Sequence, residues 1–429
     1  MKNGKVIVLI VAALSVSDVS SDELTTRHTE GRATAERLTQ RFNDTRDACE
    51  SPTGPAYECT GILLRGTVAS DNYYSWNPNP INPKKLVGFG GTSFAYIRAD
   101  SEFSWLPVWI ANGFILYPER QTPPGKITLT EMCYFPVDGW TDARGESGCG
   151  RWANAATGDE CSRQGVQTAQ QWEARFRATG NANPRNLYFC GFSLTNQSPE
   201  AEAREFSQAL KVRALLKAEN PVPDQASQND EFRMKTWEQN IPERLPIEAF
   251  FTFSGKADGI KGARHDQQDY YRQTGEVVPV IELTLQSKDE KGTPHALFAY
   301  HEQQQADLDF TGCKRYIQSA AWVSYTDPTT RKSGQQLQIV PTACGRTLPE
   351  SETNAAFAEL RRKYGGGPQW VAKPPLANNP SASGDATTDS LRRQFVCLLV
   401  KYPQKDVWNI ETFRPYVSMA DALAKDCNP

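Results

Sequence analysis

Ten cysteines, all beyond an N-terminal stretch that reads as an export signal, constrain this chain more than any other feature. Lys2 and Lys5 make a short basic region, Val6 to Leu14 an apolar run, and Ser15-Val16-Ser17 a small-residue cleavage site. The run is too short to cross a bilayer, and no later segment approaches the roughly 20 apolar residues that crossing requires. No cysteine follows the run, which argues against a lipoprotein. An even cysteine count in an exported protein points to structural disulfides rather than a metal site or a catalytic thiol. The spacings suggest Cys49 with Cys59, Cys149 with Cys161, Cys313 with Cys344 and Cys397 with Cys427, leaving Cys133 for Cys190. Each bridge of this size stabilises by roughly 3 kcal/mol in the chain-entropy picture.

The 429 residues are long for one compact domain and typical of two. A net charge of −3 and a pI near 6.0 give no basic field for nucleic acid or anionic lipid. Strand signals follow one another at Thr60–Thr67, Thr92–Arg98, Gly113–Tyr117 and Lys126–Phe135, after a helix over Ala33–Arg41. The alternating prolines of Asn77–Pro83 make a loop. Helices follow at Thr168–Thr179 and from Ser198-Pro199-Glu200, an N-cap with proline at the first helical position, to Ala218. After a Pro- and Gln-rich break comes a short helix carrying Phe232, Met234 and Trp237. Strands return at Pro246–Phe253, Val277–Leu285 and His295–Tyr300. The polar tract Glu302–Asp307 marks a boundary, beyond which Tyr316–Tyr325 and Gln336–Pro341 flank an Asp327-Pro328-Thr329-Thr330 turn as a hairpin. A closing helix falls near Ser418–Lys425.

The expected fold is therefore α+β: a mixed, mainly antiparallel sheet with inserted helices, stapled by disulfides, plus a smaller strand-rich C-terminal domain. The expected parts are a signal peptide over 1–17, a leader and helix over 18–46, a first domain over 47–303 and a C-terminal domain over 310–429.

The four histidines lie in no HExxH or paired spacing, which removes zinc hydrolases. No GxSxG, GxxxxGK[ST] or GxGxxG appears, so the common serine hydrolases and dinucleotide-fold dehydrogenases drop out. His265, Asp266 and Asp269 could share one helix face, but a solvated polar face is the default. Tyr270-Tyr271-Arg272 could stack and clamp a nucleotide, against a default of half-buried helix packing. The loop Asp138–Arg144 gathers acids, a base and Trp140; a structural turn is its default. There remains a dispersed set of Arg65 on one strand, Thr92-Ser93-Phe94 opening the next, and Glu248 opening a later one. This order resembles that of ADP-ribosyltransferase toxins that use NAD+; its bland reading is ion pairing between strands.

Longer stretches carry a more specific resemblance. Phe42–Cys49, Ala56–Thr67, Tyr74–Pro78, Gly91–Arg98 and Phe135–Arg144 are similar to the halovibrins, secreted bacterial proteins assigned NAD glycohydrolase and ADP-ribosyltransferase activity. The similarity continues through Leu245–Phe251 and Tyr271–Leu285. The region from Tyr316 to Val417 resembles a small exported domain of unknown function. The resemblance implies NAD+ as substrate with no permanently bound cofactor and no metal. Glu248 would then stabilise the ribosyl cation left by nicotinamide, as acids do at other glycosidic bonds. Arg65 would clamp the pyrophosphate, Thr92 and Ser93 would orient these groups, and Tyr74, Trp76, Phe94 or Tyr96 would face the nicotinamide ring. Pro246 stands two residues before Glu248, where protein-modifying transferases often carry Glu or Gln, which favours hydrolysis over transfer to a host protein acceptor. The 155 residues from Ser93 to Glu248 demand long insertions. The expected product is a secreted or periplasmic monomer. The competing class is an exported, non-enzymatic protein that binds protein or carbohydrate through Trp and Tyr.

Overall fold

The computed structural model describes residues 18–68, 75–77, 91–101, 103, 110–137, 148–149, 165–179, 190–195, 197–219, 229–236, 245–286, 295–303, 313, 315–349, 352–365, 367–371, 373 and 386–428. The described residues open with α1 (Asp18–Asn43), longer than the helix expected within it. Ala35, Leu38 and Phe42, spaced three and four apart, give this polar helix one apolar stripe, and all three are buried. A two-strand ribbon, β1 (Ala48–Cys49) with β2 (Gly54–Pro55), leads into the main sheet.

That sheet has eight strands: β3 (Ile62–Thr67), β4 (Thr92–Ile97), β5 (Asn112–Leu116), β6 (Thr130–Phe135), β7 (Glu231–Lys235), β8 (Ile247–Phe253), β9 (Val280–Gln286) and β10 (His295–Tyr300). Their order across it is β10-β9-β8-β5-β3-β4-β7-β6. All neighbours are antiparallel except β8 and β9, which run parallel and are joined by helix α4 (Ala257–Thr274). Helices α2 (Ala169–Thr179) and α3 (Pro199–Glu219) fall between β6 and β7.

Strand alternation sorts the side chains into two cores. Ile62, Leu64, Ala95, Ile97, Ile115, Ala249 and Phe251 meet the α1 stripe on one face. Leu63, Phe94, Tyr96, Phe114, Phe232, Met234 and Phe250 meet Trp172 of α2, Phe206 of α3 and Tyr270 of α4 on the other. Helix α4 lies close on β5, where two glycines stand. A Cβ at Gly262 would come within 2.2 Å of Asn112 Oδ1, and one at Gly259 within 2.4 Å of Ala111 O.

One expectation is corrected here. Phe232 and Met234 lie not on a short helix but on β7, hydrogen-bonded between β4 and β6. In Glu231-Phe232-Arg233-Met234 the apolar residues recur every second position, the period of a strand with one face on a core, and two flanking strands were available to pair with it. Trp237 lies outside the described residues.

The second unit has a three-stranded sheet, β11 (Ile317–Thr326), β12 (Ser333–Pro341) and β13 (Trp408–Glu411), in that order. The expected hairpin is present: Asp327 Oδ1 accepts from the backbone N–H groups of Thr329 and Thr330, both at 2.8 Å, and fixes the turn. Helices α5 (Thr353–Tyr364), α6 (Ala386–Lys401) and α7 (Met419–Ala424) complete it. Leu337, Ile339, Phe357, Leu391, Phe395 and Trp408 form its core, which Tyr271 of α4 joins. Asn354 of α5 donates to the carbonyl of Gln273, so the two units meet at the end of α4. The chain is thus α+β, with a mixed, mainly antiparallel sheet and a smaller separate antiparallel one.

Bridges join Cys49–Cys59, Cys313–Cys344 and Cys397–Cys427, as the spacings suggested. Cys133 pairs with Cys149, and not with Cys190, which overturns two of the suggested pairings. Both residues are buried, and Gly191 donates to Cys149 O at 2.9 Å, so residue 149 lies alongside β6 where Cys133 sits. Cys190 is disulfide-bonded as well, and Cys161 lies outside the described residues. Among the described residues no helix is long and apolar enough to cross a membrane, and no group of three His, Cys, Asp or Glu is placed to hold a metal.

Candidate functional site

The sheet is not evenly paired across its middle. Strand β3 pairs with β4 only from Ile62 to Leu64, the last pair being Leu64 with Ala95; beyond it β3 continues with β5 alone. Strand β4 continues with β7 alone through Thr92, Ser93 and Phe94. At this fork the carbonyl of Ser93 is not taken by β3, and Arg65 fills the place: its Nη1 donates to Ser93 O at 2.7 Å.

Ser93 turns its hydroxyl to the α1 face, the side shared by Glu231 and Arg233 of the neighbouring strand. Ser93 Oγ donates to Glu231 Oε1 at 2.6 Å. Arg233 Nη1 donates to the same carboxylate oxygen at 3.0 Å and also to Ser93 Oγ, while its Nη2 donates to Gly91 O. Arg65, Glu231 and Arg233 are buried and Ser93 is partly exposed. A hydroxyl, a carboxylate and the Arg233 guanidinium thus meet on the α1 face of the fork, while Arg65 reaches the Ser93 backbone carbonyl from the other face. On the opposite face Thr92 Oγ1 meets Thr236 Oγ1 at 2.7 Å and ties β4 to β7 behind the cluster.

Glu248 is elsewhere. It sits at a bulge in β8, where Ala249 pairs with Ile115 but Leu116 pairs with Ile247. Its carboxylate is held by α1: Arg41 Nη1 lies 2.7 Å from Oε2 and Arg37 Nε 3.4 Å from Oε1. Arg41 is itself fixed by Gly61 O at 2.9 Å. The row Ala249, Ile115, Leu64, Ala95 runs one strand further to Glu231, so four strand spacings, about 19 Å, separate the two glutamates. Arg65, in register with Phe114, projects to the face opposite Glu248. The structure brings Arg65 and Ser93 together, and it does not bring Glu248 to either.

The aromatic candidates are packing groups. Trp76, 1% exposed, donates to Asp269 Oδ2 at 2.9 Å and meets the Tyr270 ring edge-on at 5.1 Å. Phe94 packs edge-on against Phe114. Tyr96 packs on Phe206 and Phe232, and burial pushes its hydroxyl up to about 12. Tyr74 and the Asp138–Arg144 loop lie outside the described residues. On α4, Asp266 is buried and accepts from Thr67 at 2.6 Å and Asn112 at 3.2 Å, anchoring the helix to the sheet, while the mostly exposed ring of His265 lies beside it.

Two acids beside the cluster carry unusual protonation. Asp230 accepts from the backbone N–H of Tyr96 at 2.8 Å and from Tyr134 Oη at 2.9 Å, and burial raises its carboxyl to about 6. Glu131 on β6 is driven well above the usual carboxylate range by burial. The amides of Leu194 and Thr195 lie close enough to oppose that shift, but neither of its oxygens accepts a well-formed hydrogen bond.

Sequence reasoning missed Glu231 and Arg233. The signal that could have found them is the one used for Glu248, an acid opening a strand, with the alternation of residues 231–234 as the strand signature.

Residues 317–429 match the family described as protein of unknown function (DUF2599). Uncharacterized proteins of Mycobacterium bovis and Mycobacterium tuberculosis are 30% identical over 115 residues, which is 25% of this chain. The chain spans 65% of the length of these relatives. No solved structure matches the chain.

Proposed function

We propose that this protein is a secreted or periplasmic NAD+ glycohydrolase, with mono-ADP-ribosyl transfer to a host protein as a second outcome, and that its catalytic carboxylate is Glu231. The observation that supports this reading is the meeting of Ser93 and Glu231 on one face of the fork between β3 and β4, with Arg65 bonded to the Ser93 carbonyl from the other. These are the residue types, in the strand order, that the resemblance to NAD-using toxins calls for, with Glu231 taking the part expected of Glu248.

In the proposed reaction the bond between the ribose C1′ and the nicotinamide nitrogen breaks, and its electron pair leaves with the ring as neutral nicotinamide. Positive charge builds on the ribosyl carbon and is stabilised by the Glu231 carboxylate. Water oxygen then bonds to C1′ and releases a proton, giving ADP-ribose. Ser93 orients Glu231 through its hydroxyl, and Arg65, the pyrophosphate clamp the resemblance implied, fixes the Ser93 backbone from the other face of the sheet. The bridges and the leader-like N-terminus support an exported location.

The test is release of fluorescence from etheno-NAD+ by the purified, fully oxidised protein. Steady release supports the reading. No turnover across neutral pH, with the disulfides intact, refutes it and leaves the non-enzymatic binding protein.

A further inference from the structure

Arg233 has no counterpart in the set of residue types just used, yet it touches more of the cluster than any other side chain. It is 2% exposed, shares its strand and face with Glu231, and reaches three acceptors: Glu231 Oε1, Ser93 Oγ and Gly91 O. We propose that Arg233 is the positioning residue of this site, which locks Glu231, Ser93 and the start of β4 into one geometry and holds the carboxylate charged. The inference rests on the NAD+ glycohydrolase reading and assigns a role within it.

The argument is one of satisfaction. Ser93 Oγ gives its single proton to Glu231, so its lone pairs are open to a donor, and Arg233 supplies one. Glu231 Oε1 receives both the hydroxyl and the guanidinium, and two donors on one oxygen favour the ionised form. The bond to Gly91 O fixes the residue that leads into β4, and with it the register that presents Ser93 O to Arg65. A lysine could reach one of these acceptors, but its point charge cannot span three.

Several described groups surround Glu231 from the elements packed on it. Strand β4 contributes Ser93 and β3 contributes Arg65, which acts through Ser93 O. Strand β6 places Phe135 opposite Glu231, and Cys133, bridged to Cys149, opposite Arg233. The neighbouring Asp230 is turned to the other face by strand alternation and is engaged there with Tyr134. Arg233 is bonded directly to this carboxylate, and the acid limb of the pH profile should follow it.

The experiment measures kcat, KM and their pH dependence for Arg233→Lys, Arg233→Gln, Ser93→Ala and the Arg233→Lys/Ser93→Ala pair, each corrected for folded fraction by circular dichroism. The expected result is that Arg233→Gln lowers kcat on the order of 10²-fold with a small change in KM. It should also move the acid limb to higher pH, with Arg233→Lys intermediate in both. The double variant should lose no more than the worse single one, since both act through one geometry. Should Arg233→Gln not fold, Arg233→Lys and the double-variant comparison carry the test. Variants that lower the melting temperature yet keep wild-type kcat and an unmoved acid limb would make Arg233 purely structural and overturn the inference. If Glu231→Gln abolishes turnover and the Arg233 variants do not, the inference alone fails; if the wild type cleaves no NAD+, the functional reading fails with it.

Discussion

Replacing Glu248 by Gln should cost stability and not chemistry. Its side chain is 1% exposed, and its oxygens are held by Arg41, 4% exposed, at 2.7 Å and by Arg37, 46% exposed, at 3.4 Å. The Arg37 contact is half in water and is worth under about 1 kcal/mol. The Arg41 contact is different, because removing the charge leaves a buried guanidinium facing only neutral acceptors, the carbonyls of Gly61 and Leu116 and the amide oxygen of the new Gln. Breaking a buried pair from one side costs about 3–5 kcal/mol. At about 2–4 °C per kcal/mol that is a fall in melting temperature of about 6–20 °C. Arg41→Met should fall in the same range, and the Arg41→Met/Glu248→Leu pair should recover most of the loss, since apolar side chains of similar volume replace buried ion pairs at little cost. The assay is thermal unfolding by circular dichroism beside etheno-NAD+ turnover per folded molecule. A Glu248→Gln protein with a wild-type melting temperature and lost turnover would refute this reasoning and return the carboxylate to the site.

Asp230, raised to about 6 by burial, binds its proton more tightly folded than unfolded, so its contribution to stability is complete below about pH 4 and is lost as pH rises through 6. Asp230→Asn should flatten that part of the stability–pH curve, and an unchanged slope in urea unfolding between pH 4 and 6 would count against it. Cys397→Ser with Cys427→Ser opens a loop of separation 30 and should destabilise the second unit by about 3.5 kcal/mol, read as a lower melting temperature. Gly262→Ala drives a methyl onto the buried Asn112 amide and should destabilise by about 1–3 kcal/mol, where an exposed helical glycine would gain from the same change.

The sequence carried most of the fold. Seven of the eight main strands lie largely where β-branched and aromatic runs meet turn residues, and Ser198-Pro199-Glu200 opens α3 through capping chemistry that depends on neighbours alone. What it concealed was pairing at a distance. Residues 231–234 alternate over too few positions to separate a strand from a helical turn, and only β4 and β6 on either side settle the matter. Arg65 and Ser93 could be named from the strands they sit on, but the partner of Ser93 could not, because 138 residues separate it from Glu231. Glu248 had the stronger local signal, an acid opening an apolar strand, and its local environment gave no hint that Arg41 of the first helix had already claimed it. The pairing of Cys133 with Cys149 was hidden in the same way, since no spacing rule places residue 149 alongside β6.

The most direct measurement compares Glu231→Gln and Glu248→Gln in one etheno-NAD+ assay, at matched folded concentration and with oxidised disulfides. The account predicts that Glu231→Gln loses turnover by 10²- to 10³-fold, about 2.7–4 kcal/mol of transition-state stabilisation, while Glu248→Gln keeps wild-type turnover and melts earlier. Full activity in Glu231→Gln with loss in Glu248→Gln would contradict it.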